Sequence, residues 1–240
     1  MTPLTPVFKR EFLGYFRSPV AYVFLIVFLM ASVGLAFFVG GLFKANQASL
    51  QSFFVFHPWL YLFLIPAAGM RLWAEERRGG TIELLFTLPL TTLHAVLGKF
   101  FAAWLFLVLG LALTLPLAFT VGWLGDPDWG VIIASYIGSA LMAGAYLAIC
   151  SLLSALTKNQ VIAFVLGVVV NLVLVFLGWS VFNGLLAGVL PPAGVDFVAN
   201  LGFIPHFDAF TKGILDPRDF AYFGSVMALA LTLNVVALDR

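Results

Sequence analysis

Six long apolar stretches fill most of the chain, and the polar residues gather between them. They run Pro19–Phe43, Pro58–Trp73 (with Phe53–Phe56 as a backward extension), Phe100–Trp123, Val131–Leu156, Val161–Val189 and Phe220–Leu238. Apart from Arg71 near the end of the second, none contains Asp, Glu, Lys or Arg. A hydrocarbon core about 30 Å thick is crossed by roughly 20 residues of α-helix. The pattern therefore predicts six transmembrane helices, at about 19–43, 56–74, 97–123, 130–156, 160–187 and 219–238. The runs are continuously apolar, without the alternation of a barrel strand, which favours helices. The predicted fold class is an all-α membrane protein, with one transmembrane domain over 1–240.

Two shorter patterns lie outside these runs. Val7, Phe8, Phe12, Tyr15 and Phe16 recur at helical spacing, with Lys9, Arg10 and Arg17 largely on the other face. Residues 4–18 are expected to form a helix in the membrane interface, rings among the headgroups and cations toward anionic lipid. Ser18-Pro19 then turns the chain into the first span. This helix reads either as a basic anchor or as an elbow that also touches a cytoplasmic partner. The second pattern, residues 75–93, is a charged helix end, a glycine turn and a short apolar helix stopped by a proline. Gly79-Gly80 allows the reversal. Thr81 is placed to cap the next helix, and Glu83 sits in its first turn, where the helix dipole favours a carboxylate. Ile82, Leu84, Leu85, Phe86 and Leu88 are too few to cross a membrane, so the segment needs a groove, in lipid headgroups or in another protein.

Composition sharpens this picture. Of 240 residues, 62% are hydrophobic and 10% charged, against roughly 25% charged in soluble domains. Mean hydropathy is +1.09. Too few polar side chains exist to cover a water-soluble globule. A formal net charge of +1 offers no basic field for a polyanion, so nucleic acid is excluded as a partner. Cys150 is the single cysteine, which removes internal disulfides and CxxC metal sites. The first apolar run is too long for a cleavable signal peptide and is expected to stay.

The Lys and Arg distribution sets the expected orientation. With six spans, Lys9, Arg10, Arg17, Arg71, Arg77, Arg78, Lys99, Lys158 and Arg240 share one side, while Lys44, Lys212 and Arg218 lie opposite. Both termini are thus predicted cytoplasmic. An outer segment, 190–218, holds Pro191-Pro192, Pro205 and Pro217 and should form one or two short helices.

The motif Glu75-Glu76-Arg77-x-Gly79-Gly80-Thr81-x-Glu83-Leu84-Leu85-x-Thr87-x-Pro89-x-Thr91 resembles the signature of ABC-2 type transporter permeases. Lys9-Arg10-Glu11-Phe12 followed by Phe16-Arg17-Ser18-Pro19 resembles that family's elbow helix, and Gly98-Lys99-Phe100 fits the opening of its third span. Thr92-Leu93-His94 departs from the pattern, being more apolar. Around His206-Phe207-Asp208, Lys212-Gly213-Ile214 and Arg218-Asp219 the chain is similar to the gliding-motility branch, itself related to the nitrous-oxide-reductase maturation permease.

The resemblance implies a dimer of membrane subunits in the bacterial inner membrane, each bound to one cytoplasmic ATPase subunit. Residues 75–93 would be the coupling helix. Glu75, Glu76, Arg77, Gly80, Thr81, Glu83, Leu84, Leu85 and Pro89 become the expected ATPase contact, with Lys9, Arg10 and Glu11 of the elbow beside them. His206, Phe207, Lys212, Gly213, Arg218 and Asp219 form the outer motif. Arg71 and Arg77 are alternatively free to pair with Glu75 and Glu76 along one helix.

No enzyme is expected in the chain itself. A P-loop requires G-x-x-x-x-G-K-[ST]; at Gly98-Lys99 the next residue is Phe100, and Leu93 stands where the first glycine belongs. ATP and Mg are expected only in the partner. No HExxH occurs, and His206 with Asp208 is the one candidate metal pair, competing with plain hydrogen bonding in the outer segment. An ion-coupled carrier or channel is disfavoured, since such proteins keep ionisable groups inside the membrane. The remaining alternative is a scaffold that links the ATPase to periplasmic machinery and transports nothing, with an auxiliary periplasmic or membrane protein as partner.

Overall fold

The computed structural model describes residues 4–42, 47–80, 91–188 and 190–239. Those residues are helical throughout their regular structure. The N-terminal amphipathic pattern forms α1 (Leu4–Arg17). After Ser18, Pro19 opens α2 (Pro19–Gly34), where its fixed φ and missing N–H suit a first turn. One π turn, Leu35–Val39, extends it. A short α3 (Gln51–Phe54) leads into α4 (His57–Gly69) and α5 (Arg71–Gly79). Then come α6 (Thr92–Ala112), α7 (Leu115–Leu124), α8 (Trp129–Ala155) and α9 (Gln160–Gly178). Three short outer helices follow, α10 (Ser180–Leu186), α11 (Pro192–Ala199) and α12 (Phe203–Thr211), and α13 (Pro217–Leu238) closes the chain.

Among the described residues five helical stretches are long and apolar enough to cross a membrane: Pro19–Val39, Thr92–Leu124, Trp129–Ala155, Gln160–Gly178 and Pro217–Leu238. The protein is a multi-pass membrane protein. The expected second span differs. It is divided at Met70 into helices of 13 and 9 residues, the second of them charged. The fifth is shorter than expected, because the helix stops at Gly178. An added Cβ there would stand 2.5 Å from Pro205 Cδ, so the close approach of the outer segment ends the helix. The third begins at Thr92, five residues early, since Thr91 accepts a hydrogen bond from the His94 amide and caps it.

The centre of the bundle is α8, which packs against α4, α5, α6, α9, α12 and α13. Its small residues make that possible. A Cβ on Gly138 would meet Phe210 at 2.6 Å, and one on Gly144 would meet Met227 Sδ at 2.7 Å. The small-residue stripe of this helix therefore serves packing within one chain. Polar side chains bridge to it: Asn171 Nδ2 donates to Cys150 Sγ at 3.3 Å and Asn234 Nδ2 to Ser151 Oγ at 2.7 Å. Such interhelical bonds satisfy the amide N–H groups in an apolar interior.

Candidate functional site

At one end of the bundle four segments converge: α1, α5, the start of α6 and the end of α13. The α4–α5 break is held from outside by Ser154 on α8. Its hydroxyl accepts from the amides of Trp73 and Ala74, at 3.1 and 3.0 Å, and donates to the Met70 carbonyl at 2.8 Å. One donor and two lone pairs are thereby used up. The orphan N–H groups at the start of α5 are thus capped by another helix. Ser151, one turn earlier, accepts from Trp73 Nε1 at 3.2 Å.

With α5 fixed, Glu76 faces α6. There Lys99 Nζ lies 2.7 Å from Glu76 Oε1 and 3.5 Å from Glu11 Oε2 on α1. The Lys99 side chain is 4% exposed, and its ammonium stands 5.2 Å from the centroid of the Trp73 ring. A cation taken out of water needs such partners. The preceding residue is what lets α1 reach it: a Cβ on Gly98 would sit 2.8 Å from Val7 Cγ1. Further along α1, Tyr15 stacks on Phe106 with centroids 4.7 Å apart. Burial, with the Glu11 carboxylate adding to it, pushes the Tyr15 phenol well above its usual pKa.

The remaining charges at this end are paired more loosely. Arg71 Nε donates to Glu75 Oε2 at 3.0 Å, an i,i+4 pair open to solvent and worth a few tenths of a kcal/mol. Arg77 Nη2 donates to the Ala237 carbonyl at 3.2 Å, and Thr92 Oγ1 to Asp239 Oδ1 at 2.5 Å, so the end of α13 is tied in. Arg10 pairs with Glu11 at 2.9 Å, and Lys9 is exposed. Gly80 closes α5 with φ of 68°, a left-handed cap that glycine adopts freely. Thr81, Glu83, Leu84, Leu85 and Pro89, the heart of the expected coupling helix, lie outside the described residues. A cavity of about 400 Å³ opens between α1, α2, the α4–α5 junction and α6.

The outer motif lies at the other end. His206 Nδ1 is 2.7 Å from Asp219 Oδ1, its Nε2 is 3.0 Å from the Asn200 carbonyl, and the ring stacks on Tyr222 at 3.8 Å. Tyr222 in turn donates to the Leu201 carbonyl at 2.7 Å. Phe207 is buried against α8, and Gly213, at φ 77°, makes the turn after α12. His206 thus pairs with Asp219, and the motif stitches α12 to α13. Lys212 and Arg218 are exposed. Burial raises the Asp208 carboxyl above its ordinary pKa, with Lys212 opposing.

Residues 59–237 match the family described as ABC-2 family transporter protein. The chain belongs to this family. Among curated proteins none matches it. Of the residues expected at the ATPase contact, Glu11 and Glu76 are joined through Lys99, Arg77 engages the chain's own C-terminal helix, and Glu75 and Arg10 lie at the surface in pairs with Arg71 and Glu11. Sequence reasoning missed the roles of Lys99, Trp73 and Ser154. A lone lysine eight positions into a helix that is apolar ever after was the available sign for the first; nothing local marked the other two.

Proposed function

We propose that this ABC-2 permease subunit works as a dimer, with a second copy or a close relative, in the bacterial inner membrane, both termini cytoplasmic. A separate ATPase subunit, holding ATP and Mg, binds the segment that follows Gly80 and drives the spans between two states. Here α4 and α5 count together as the sixth span. Residues 57–79 would reach about 34 Å laid end to end, enough to cross, with the apolar residues of α5 buried and its charges, Glu75 and Arg78 among them, toward the surface.

One observation carries this reading. The helices on either side of the 81–90 segment are joined to each other by one ion pair, Glu76 on α5 and Lys99 on α6. A displacement imposed on that segment would therefore pass to α5 and α6 together, and through Ser154 and Ser151 to the central α8. Elements that respond as packed bodies transmit small movements in this way. The charges of the spans gather near their ends, with Lys99 paired to Glu76, and the apolar stretches between suit an apolar or amphipathic substrate.

The scaffold reading rests on a different feature. The outer segment exposes Phe197, Leu201, Ile214 and Leu215 beside Lys212 and Arg218, a mixed surface that an auxiliary protein would cover. The similarity of this segment to the gliding-motility branch points the same way.

The test is affinity purification of the full chain in mild detergent, co-expressed with its genomic neighbours. Co-purification of an ATPase subunit in equal amount, lost with Glu83→Arg, supports the permease reading. Loss of an auxiliary partner but not the ATPase on replacing residues 190–216 supports the scaffold. Emergence of the chain alone, with the ATPase present and folded, contradicts both.

A further inference from the structure

The cavity beside the buried lysine changes chemistry along its depth. One end is lined by three ion pairs: Arg10 with Glu11 at 2.9 Å, Arg71 with Glu75 at 3.0 Å, and Lys99 with Glu76 at 2.7 Å. The other end is lined by Val20, Ala21, Phe24, Ala68 and Phe106. Ala68 lies seven positions before Glu75, and Phe106 seven positions after Lys99. The α6 wall therefore passes from charged to apolar over about 10 Å of helix, and the other wall changes across the α4–α5 break, between Ala68 and Arg71. The volume, about 400 Å³, falls among those of small-molecule sites.

We propose that this cavity binds one phospholipid with a zwitterionic headgroup of the phosphatidylethanolamine type. The charge at its polar end is balanced, three cations against three carboxylates, and each cation already has a partner. A net anionic headgroup would bring a further negative charge beside Glu11, Glu75 and Glu76. A headgroup carrying phosphate and ammonium together meets both signs at once. The phosphate accepts from the guanidinium groups of Arg71 and Arg10, which are 40% and 57% exposed, in the geometry that favours arginine for phosphate. The ammonium donates to Glu75, which is 53% exposed. Lys99 stays with its own carboxylates. The cavity takes the headgroup and the start of the chains. The tails leave by its open side, along the face of α2 where Val20, Val23 and Val27 are exposed. The site needs only that the chain lie in a bilayer, and stands whether or not an ATPase drives it.

The test uses the full chain in mild detergent, stripped of lipid and titrated in native mass spectrometry. The probes are phosphatidylethanolamine, phosphatidylglycerol with the same acyl chains, and glycerophosphoethanolamine as the headgroup alone. The expected result is one phosphatidylethanolamine retained per chain, phosphatidylglycerol at least tenfold weaker, and the headgroup alone not retained at the same concentration. Ala68→Trp, which fills the cavity, and Glu75→Arg, which unbalances it, should each weaken retention at least tenfold. A photoactivatable phosphatidylethanolamine on the unaltered chain, independent of how any variant folds, should label residues 20–24 and 67–72. Equal retention of both lipids, headgroup binding as tight as the whole lipid, or label spread over the outer faces of α9 and α13 would overturn the proposal.

Discussion

Lys99 Nζ and Glu76 Oε1 lie 2.7 Å apart, joining α6 to α5 beneath a lysine side chain that is 4% exposed. Glu11 approaches the same ammonium from α1 at 3.5 Å. Three helices, one of them remote in sequence, thus share one charge. Removing one member of such a set costs more than the set contributes as a whole, because the others lose their counter-ion without regaining water.

Lys99→Met should therefore lower stability by about 3 kcal/mol. Lys99→Met combined with Glu76→Gln should cost less than the two single changes added together, since the residues touch. Thermal unfolding of the purified chain in detergent measures both. Additive losses would mean that the pair is not coupled.

Ser154→Ala leaves two amides and one carbonyl at the α4–α5 break without their partner. Buried groups left unpaired cost about 1–3 kcal/mol. The expected result is a lower unfolding temperature together with faster hydrogen exchange at the amides of Trp73 and Ala74. Unchanged exchange there would show that the hydroxyl does not hold the break.

Gly98→Val places two methyl groups where Val7 already stands. Overpacking of this kind costs about 1–3 kcal/mol, and here the cheapest relief is for α1 to lift from α6. Trypsin should then cut after Lys9 and Arg10 several-fold faster, while the unfolding temperature of the remaining bundle changes little. Protection equal to the unaltered chain would contradict the docking of α1 on this glycine.

Asp208 gives a pH prediction with a definite sign. Burial raises its folded-state pKa, so the folded chain prefers the protonated acid and ionisation at neutral pH costs stability. The favourable contribution is present below the unfolded value and is lost as pH rises through the folded one. Asp208→Asn should raise the unfolding temperature at pH 7 to 8, and the gain should shrink toward pH 4. A gain that grows on acidification would show that the Lys212 attraction, not desolvation, dominates.

Most of the helical layout was legible because an uncharged apolar run in lipid has only the helix to satisfy its backbone. The places where helices break were less so. The third run is broken at Leu113–Thr114, two residues before Pro116. Proline belongs in the first turn of the helix that follows, and Thr114 Oγ1 closes the gap by donating to the Leu111 carbonyl at 2.6 Å. The stop at Gly178 is set by Pro205 and Gly202 from the outer segment, a tertiary contact without a local sign. For the candidate site, the helical spacing of α1 and the glycine cap at Gly80 could be read directly. The pairing of Glu76 with Lys99 could not, because periodicity describes one helix at a time and this bond joins two. The outer motif likewise offered His206 and Asp208 as neighbours in sequence, whereas the fold brings Asp219 to the histidine.

In the proposed function an ATPase drives this chain through the segment after Gly80. Its most direct test is ATP hydrolysis by the ATPase and this permease reconstituted together in liposomes, with the unaltered chain and with Glu83→Arg. The unaltered chain should change the turnover of the ATPase, and Glu83→Arg should return it to the rate of the ATPase alone, with both chains still folded. Turnover indifferent to the presence of the chain and to that substitution would contradict it.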